Sequence, residues 1–179
     1  LQLQSVLSYP IVDGNAATLD YFLPFEEVPN SSTFLNVSPN ITEDWTCSGD
    51  NCPTSGLRGK VGRAVLFDGV DDYLRPASNS GSGVQTMAAW VKADRGTIAS
   101  TVNSGGSETG IELDVNRFRV VFDNSDDGDE LILNFTIPEN EWTHVVATYN
   151  TSNRQARVYI NGSLAQSGTT TLTPTTTTY

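Results

Sequence analysis

The stretch Ala64-Val65-Leu66-Phe67-Asp68-Gly69-Val70-Asp71-Asp72-Tyr73-Leu74 reads as a strand, a tight acidic turn and a second strand. A weaker copy follows, where Arg157-Val158-Tyr159-Ile160 runs through Asn161-Gly162 into Ser163-Leu164-Ala165. Asp-Gly and Asn-Gly accept the positive φ that a short hairpin turn demands. Both stretches point to antiparallel β structure.

Outward from these turns, strand signals arrive at steady spacing. They cover Met87–Lys92, Thr97–Thr101, Ile111–Val115, Phe118–Phe122 and Leu131–Ile137. From Trp142 to Tyr149 the chain alternates Trp142, His144, Val146 and Thr148 against Thr143, Val145, Ala147 and Tyr149. Upstream, Leu19–Phe25 reads as a strand with Pro24 marking an edge or a bulge. Leu1–Leu7 alternates weakly and reads as an edge strand, and Tyr73–Arg75 as the second arm of the first hairpin. About ten to twelve short strands without an amphipathic helix predict an all-β, two-layer antiparallel sandwich. Trp90 and Trp142 fall in regular strands and are expected in its core. Residues 28–60 carry Pro29, Pro39 and Pro53 with many Ser, Thr and Asn, and read as one long inserted loop. The Thr-rich residues 169–179 read as a last strand or a linker.

A length of 179 residues fits one such domain. The net charge is −11 and only two lysines occur, so the surface field repels nucleic acid and anionic membrane and attracts divalent cations or basic partners. No apolar run is long enough to cross a bilayer as a helix. The start at Leu1-Gln2-Leu3-Gln4, without initiator Met or signal peptide, reads as that of a module taken from a larger chain.

Cys47 and Cys52 flank Ser48-Gly49-Asp50-Asn51. So short and Gly-containing a loop closes readily into a local disulfide, worth roughly 2 kcal/mol in chain entropy. Such a bond implies an oxidising compartment. Zinc is disfavoured, because the chain offers only these two cysteines and His144 against the four ligands zinc requires. Six Asn-x-Ser/Thr sequons, at Asn30, Asn36, Asn40, Asn134, Asn150 and Asn161, matter only in a source that glycosylates exported proteins.

Five segments in order resemble a concanavalin A-like jelly roll of the laminin-G-like kind: Tyr21–Glu27, Gly62–Leu74, Met87–Lys92, Glu141–Tyr149 and Arg157–Gly162. They span residues 19–168, so one domain over 1–179 is expected. The resemblance implies two curved antiparallel sheets in a non-catalytic module of a secreted or cell-surface protein. It implies binding of glycan or protein ligands, with calcium in some members, and a place in a larger multidomain chain. The alternatives are a structural spacer or assembly module, and a glycoside hydrolase. The insert at 28–60 and the first eighteen residues depart from the pattern.

Calcium takes six to eight oxygens without strict geometry. Asp68, Asp71 and Asp72 surround one turn, and the resemblance places Glu26 and Glu27 near it, which makes these five the candidate metal ligands. The acidic run Asp123–Glu130 lacks an EF-hand register and reads as a solvated hairpin tip. Trp45, beside the cysteine loop, is the candidate aromatic platform for a ligand. Arg95, Asn103 and Glu108 lie in loops that border such a site. Glu112-Leu113-Asp114-Val115-Asn116 resembles the catalytic strand of retaining glycosidases on this jelly roll, with Asn116 where the second Glu belongs. Retaining chemistry needs two carboxyl groups about 5–5.5 Å apart. An amide cannot exchange the proton, so no catalytic residue is assigned. His144 lies mid-strand without a nucleophilic partner and reads as structural.

Overall fold

The computed structural model describes residues 1–4, 21–39, 42–77, 85–100, 109–122, 130–150 and 152–170. The expected start of the Leu19 strand, most of the acidic run from Asp123, and the tail beyond Thr170 lie outside them. The described residues are all-β and antiparallel, with a single helical turn, the 3-10 turn Gly49–Asn51. Among them no helix is long and apolar enough to cross a membrane.

Backbone contacts divide the chain into two compact units. The first draws on Leu1–Ser80, Ala88–Ala93 and Asn140–Trp142, the second on Gly81–Met87, Asp94–Glu139 and Thr143–Tyr179.

In the first unit the strands are β1 (Gln2–Gln4), β2 (Thr33–Phe34), β3 (Trp45–Thr46), β4 (Thr54–Arg58) and β5 (Arg63–Leu66), joined by the end of β6 (Gln85–Lys92). The sheet order is β6-β1-β5-β4, and β2 pairs with β3 alone. The core gathers Leu3, Leu23, Phe25, Phe34, Val65, Ala89 and Val91.

Four expectations need correction here. Leu1–Leu7 was expected at an edge, yet β1 is flanked on both sides: Leu3 opposes Val65 of β5 and Val91 of β6. With Leu3 6% exposed, the strand is held in the sheet by that buried side chain and two ladders. Residues 21–25 form no strand, since Pro24 lacks a donor and Phe25 turns to φ 58°. Their side chains still anchor the unit, with Leu23 and Phe25 buried and the Phe25 ring edge-on to Phe34 at 6.2 Å. The 28–60 insert is not one loop, because it holds β2, β3 and β4. The β4 pattern is broken by a bulge between Thr54 and Leu57, where Gly56 sits at φ 77°. A Cβ at Gly56 would lie 2.7 Å from the Pro29 ring, so only glycine fits.

The fourth correction concerns the opening stretch. Ala64–Leu66 is a strand, but Tyr73–Arg75 does not fold back on it. β5 already has β4 and β1 as neighbours. The chain after the acidic turn instead runs beside the cysteine loop, with Arg75 bridged to Thr46.

In the second unit, β11 (Thr143–Asn150), β12 (Gln155–Ile160) and β13 (Ser163–Thr169) form one sheet. A second sheet has the order β10-β9-β8-β7, from Glu130–Asn134, Arg117–Phe122, Thr109–Asp114 and Thr97–Ser100. The expected Asn161-Gly162 hairpin is present. Ile160 opposes Ser163, and the two turn residues take φ of 49° and 83°. The Asn161 side-chain oxygen also accepts the His144 backbone N–H at 3.0 Å. The alternation in β11 follows the sequence, with Thr143, Val145, Ala147 and Tyr149 buried. Ile111, Leu113, Phe118, Val120 and Leu133 supply the other layer. The layers meet closely at Gly168, whose added Cβ would come within 2.9 Å of Leu133.

Trp90 and Trp142 are half-buried rather than core. β6 buries Ala89 and Val91, so the pleat turns Trp90 to the other face, under the Lys60 ammonium at 5.6 Å. Trp142 precedes the first residue of β11 and lies outside its ladder.

Candidate functional site

The acidic turn lies between β5 and the chain that follows it. Asp68, Asp71 and Asp72 each bring a carboxylate oxygen to within 4.8 Å of the others. Local hydrogen bonds shape the turn. Asp68 Oδ1 accepts the Val70 N–H at 2.8 Å and the Asp71 N–H at 3.4 Å. Asp72 Oδ2 accepts the Asp68 N–H at 2.7 Å. Gly69 takes φ 80°, and Val70 at the tip is 84% exposed. These bonds use one oxygen each of Asp68 and Asp72. Their second oxygens and the Asp71 carboxylate remain for a cation.

The donor set is all hard oxygen, which suits a hard divalent ion rather than one that prefers thiolate or imidazole. Three carboxylates are fewer than calcium takes, so backbone carbonyls or water must complete the shell.

Cys47 and Cys52 are joined as a disulfide, with Cα atoms 5.1 Å apart. Asn51, inside that ring, donates from its side-chain amide to the Asp71 carbonyl at 3.2 Å. Its own carbonyl accepts the Tyr73 N–H at 3.1 Å. Thr46, just before the ring, exchanges both backbone hydrogen bonds with Arg75, at 2.9 and 3.2 Å. The cystine loop and the acidic turn are therefore one assembly. Asn51 had no place in the sequence-based candidate set, and its position beside Cys52 was the one available signal.

The structure does not bring Glu26 and Glu27 into the aspartate cluster. Glu26 Oε1 accepts the Arg63 N–H at 3.2 Å. Glu27 Oε1 accepts the Leu35 N–H at 3.0 Å, and its carbonyl takes the Arg63 guanidinium at 3.1 Å. They brace β2 and β5. Trp45 is half-buried, opposite Phe34 in the β2–β3 pair and edge-on to Tyr21 at 5.3 Å. Arg95 is exposed in the bend after β6. Asn103 and Glu108 lie outside the described residues.

On the half-exposed face of β8 and β9, Glu112 and Asp114 meet two arginines. Arg117 binds Asp114 at 2.6 Å and Glu112 at 3.3 Å, and Arg119 reaches Glu112 at 3.3 Å and Glu130 at 3.5 Å. Burial pushes the Glu112 carboxyl up, the Asp114 charge adds to that, and the arginines oppose it. Asn116 is not on this strand face. It occupies the β8–β9 turn at φ 69°, where its side-chain oxygen accepts the Ile137 N–H at 2.9 Å. Position 116 thus offers no carboxyl for a retaining mechanism, and Glu112 and Asp114 are engaged by the arginines.

A laminin G family model, described as the concanavalin A-like lectin/glucanases superfamily, matches residues 68–179. The chain belongs to this superfamily. The match begins at Asp68, the first residue of the acidic turn. For this concanavalin A-like chain, membership points to a non-catalytic binding or adhesion-type domain, in keeping with the position of Asn116. Among solved structures it is similar to a 2.1 Å crystal structure of residues 221–444 of an S-layer domain-containing protein from Clostridium thermocellum. The identity is 22% and the TM-score 0.47, over 86% of this chain and 74% of that one. No curated protein matches it.

Proposed function

We propose that residues 1–179 serve as one extracellular, cell-surface binding or adhesion module of a larger protein, with calcium ordering the Asp68–Asp72 turn. The ligand is a glycan or a protein, bound by loops on the sandwich. The observation that carries this reading is the convergence of three carboxylates on a turn fixed by a cystine loop. Three clustered negative charges repel one another, and a divalent cation relieves that cost while holding the turn in one shape. Function on a braced loop is what a rigid β scaffold supports. Trp45, beside the braced ring, is the ligand contact proposed in the first unit, and Arg95 is proposed separately in the second. Asn103 and Glu108 complete that proposal from the sequence.

The test is a glycan array, with a cell-surface protein panel, probed by the folded chain in calcium and then in EDTA. Calcium-dependent retention on either, reduced by Asp71→Asn, supports the module. Absence of binding to both surfaces in calcium sinks the ligand-binding reading and favours a spacer.

A further inference from the structure

We propose that the Cys47–Cys52 cystine is a redox latch on the acidic turn. Four hydrogen bonds hold residues 71–75 against residues 46–51: two between Thr46 and Arg75, one from Tyr73 to the Asn51 carbonyl, and one from the Asn51 amide to Asp71. Among the described residues, the bridge to Thr46 is the β pairing that Tyr73–Arg75 make. The returning chain is thus tied at Asp71 and Tyr73 to Asn51 of the ring, and at Arg75 to Thr46 of β3, next to the ring.

Within the ring, one backbone bond supports the turn, from the Asn51 N–H to the Ser48 carbonyl at 3.3 Å. Its 3-10 turn, Gly49–Asn51, buries no residue, and Gly49 sits at φ 61°. Cys47 is anchored at one end, where its N–H bonds the Ser32 carbonyl at 3.1 Å. At the other end, beyond Asn51, the covalent bond to Cys52 closes the loop. Opening that bond lets Asn51 drift from Asp71 and Tyr73. The sheets of the second unit make none of these contacts.

Cys52 is partly exposed, so an external dithiol can reach the bond. A dithiol thiolate attacks one sulfur, the Cys47–Cys52 bond breaks, and a mixed disulfide forms. The second thiol of the reagent then displaces the protein sulfur. Two electrons and two protons pass to the cysteines, which end as thiols, and the dithiol ends as its own disulfide. In the oxidised chain the latch is closed and the turn is set. In a reducing compartment it is open.

The test is residue-resolved amide hydrogen exchange on the oxidised chain, the dithiol-reduced chain and a Cys47→Ser/Cys52→Ser double variant. In both opened forms, Tyr73 and Arg75 should exchange faster by a factor on the order of 30, the loop-closure term for so short a ring. Val146 and Val158 should not change. Unchanged exchange at Tyr73 and Arg75 would overturn the latch. So would equal loss at Val146 and Val158, because the bond would then be a brace of the whole fold.

A calcium titration of the same samples is read separately, since it rests on the cation reading above. Weaker affinity in the opened forms extends the latch to the cation. No calcium binding in either form, with faster exchange at Tyr73, leaves the latch standing and removes the cation.

Discussion

The side-chain amide of Asn51 lies 3.2 Å from the carbonyl oxygen of Asp71, and this contact joins the cystine ring to the acidic turn. The two residues are twenty positions apart, Asn51 at the end of the 3-10 turn and Asp71 in the acidic turn. One places a donor on a covalently closed ring, and the other is the middle aspartate of the cluster. The shape of the turn therefore depends on a residue that carries no charge.

Replacing Asn51 with Ala should remove that bond and leave the Asp71 carbonyl to water. The expected loss is about 1 kcal/mol of unfolding free energy, the usual worth of one partly exposed hydrogen bond. Urea unfolding followed by tryptophan fluorescence measures it. A midpoint equal to that of the native chain would mean that the contact contributes nothing.

Asn116 does two jobs in the second unit. It accepts φ 69° in the β8–β9 turn, and it takes hydrogen bonds from Ile137 to its side chain and from Phe135 to its carbonyl. Asn116→Ala loses the side-chain acceptor and strains the backbone, at an expected cost of about 1–3 kcal/mol. Asn116→Asp keeps an acceptor and should lose much less. Thermal unfolding of the pair separates these. Equal loss in both would show that the amide's own donor matters instead.

His144 gives a pH signature. Burial lowers its pKa from the ordinary value near 6.5, so the folded chain favours the neutral ring. Its contribution to stability is present above the unfolded-state pKa and is lost as pH falls through the depressed folded value. As the one histidine in the chain, its ring can be followed alone by NMR. The titration midpoint should fall below 6.5, and His144→Gln should flatten that part of the acid limb. A midpoint at or above 6.5 would contradict the burial assigned to this face.

The inner strands of the second unit were legible because they keep one face dry, as β11 and β12 do. β11 alternates over eight residues, and Asn161-Gly162 names its own turn type. The first unit was less legible. β1 has three residues and takes its place from two neighbours distant in sequence, so no local pattern could put it inside the sheet. β4 hides behind Gly56 and its bulge. The motif at 64–74 was read correctly as strand and acidic turn, but its return path was set by pairing to Thr46 and Asn51.

The candidate site shows the same division. The three aspartates stand within five residues, and their convergence was visible. The separation of Glu26 and Glu27 from them was not. Both glutamates satisfy backbone donors, Leu35 just after β2 and Arg63 of β5, and which donors are left over is decided only when the strands pair. Likewise, Glu112 and Asp114 resemble a catalytic pair until Arg117 and Arg119, on the next strand, occupy them.

Isothermal titration of calcium into the oxidised chain, beside an Asp71→Asn/Asp72→Asn variant, bears most directly on the proposed role. The native chain should bind one calcium, unfold at higher temperature when loaded, and lose that rise in EDTA, while the variant should lose binding with its sheets intact. No binding heat and an unchanged unfolding temperature in the native chain would contradict a cation-ordered turn.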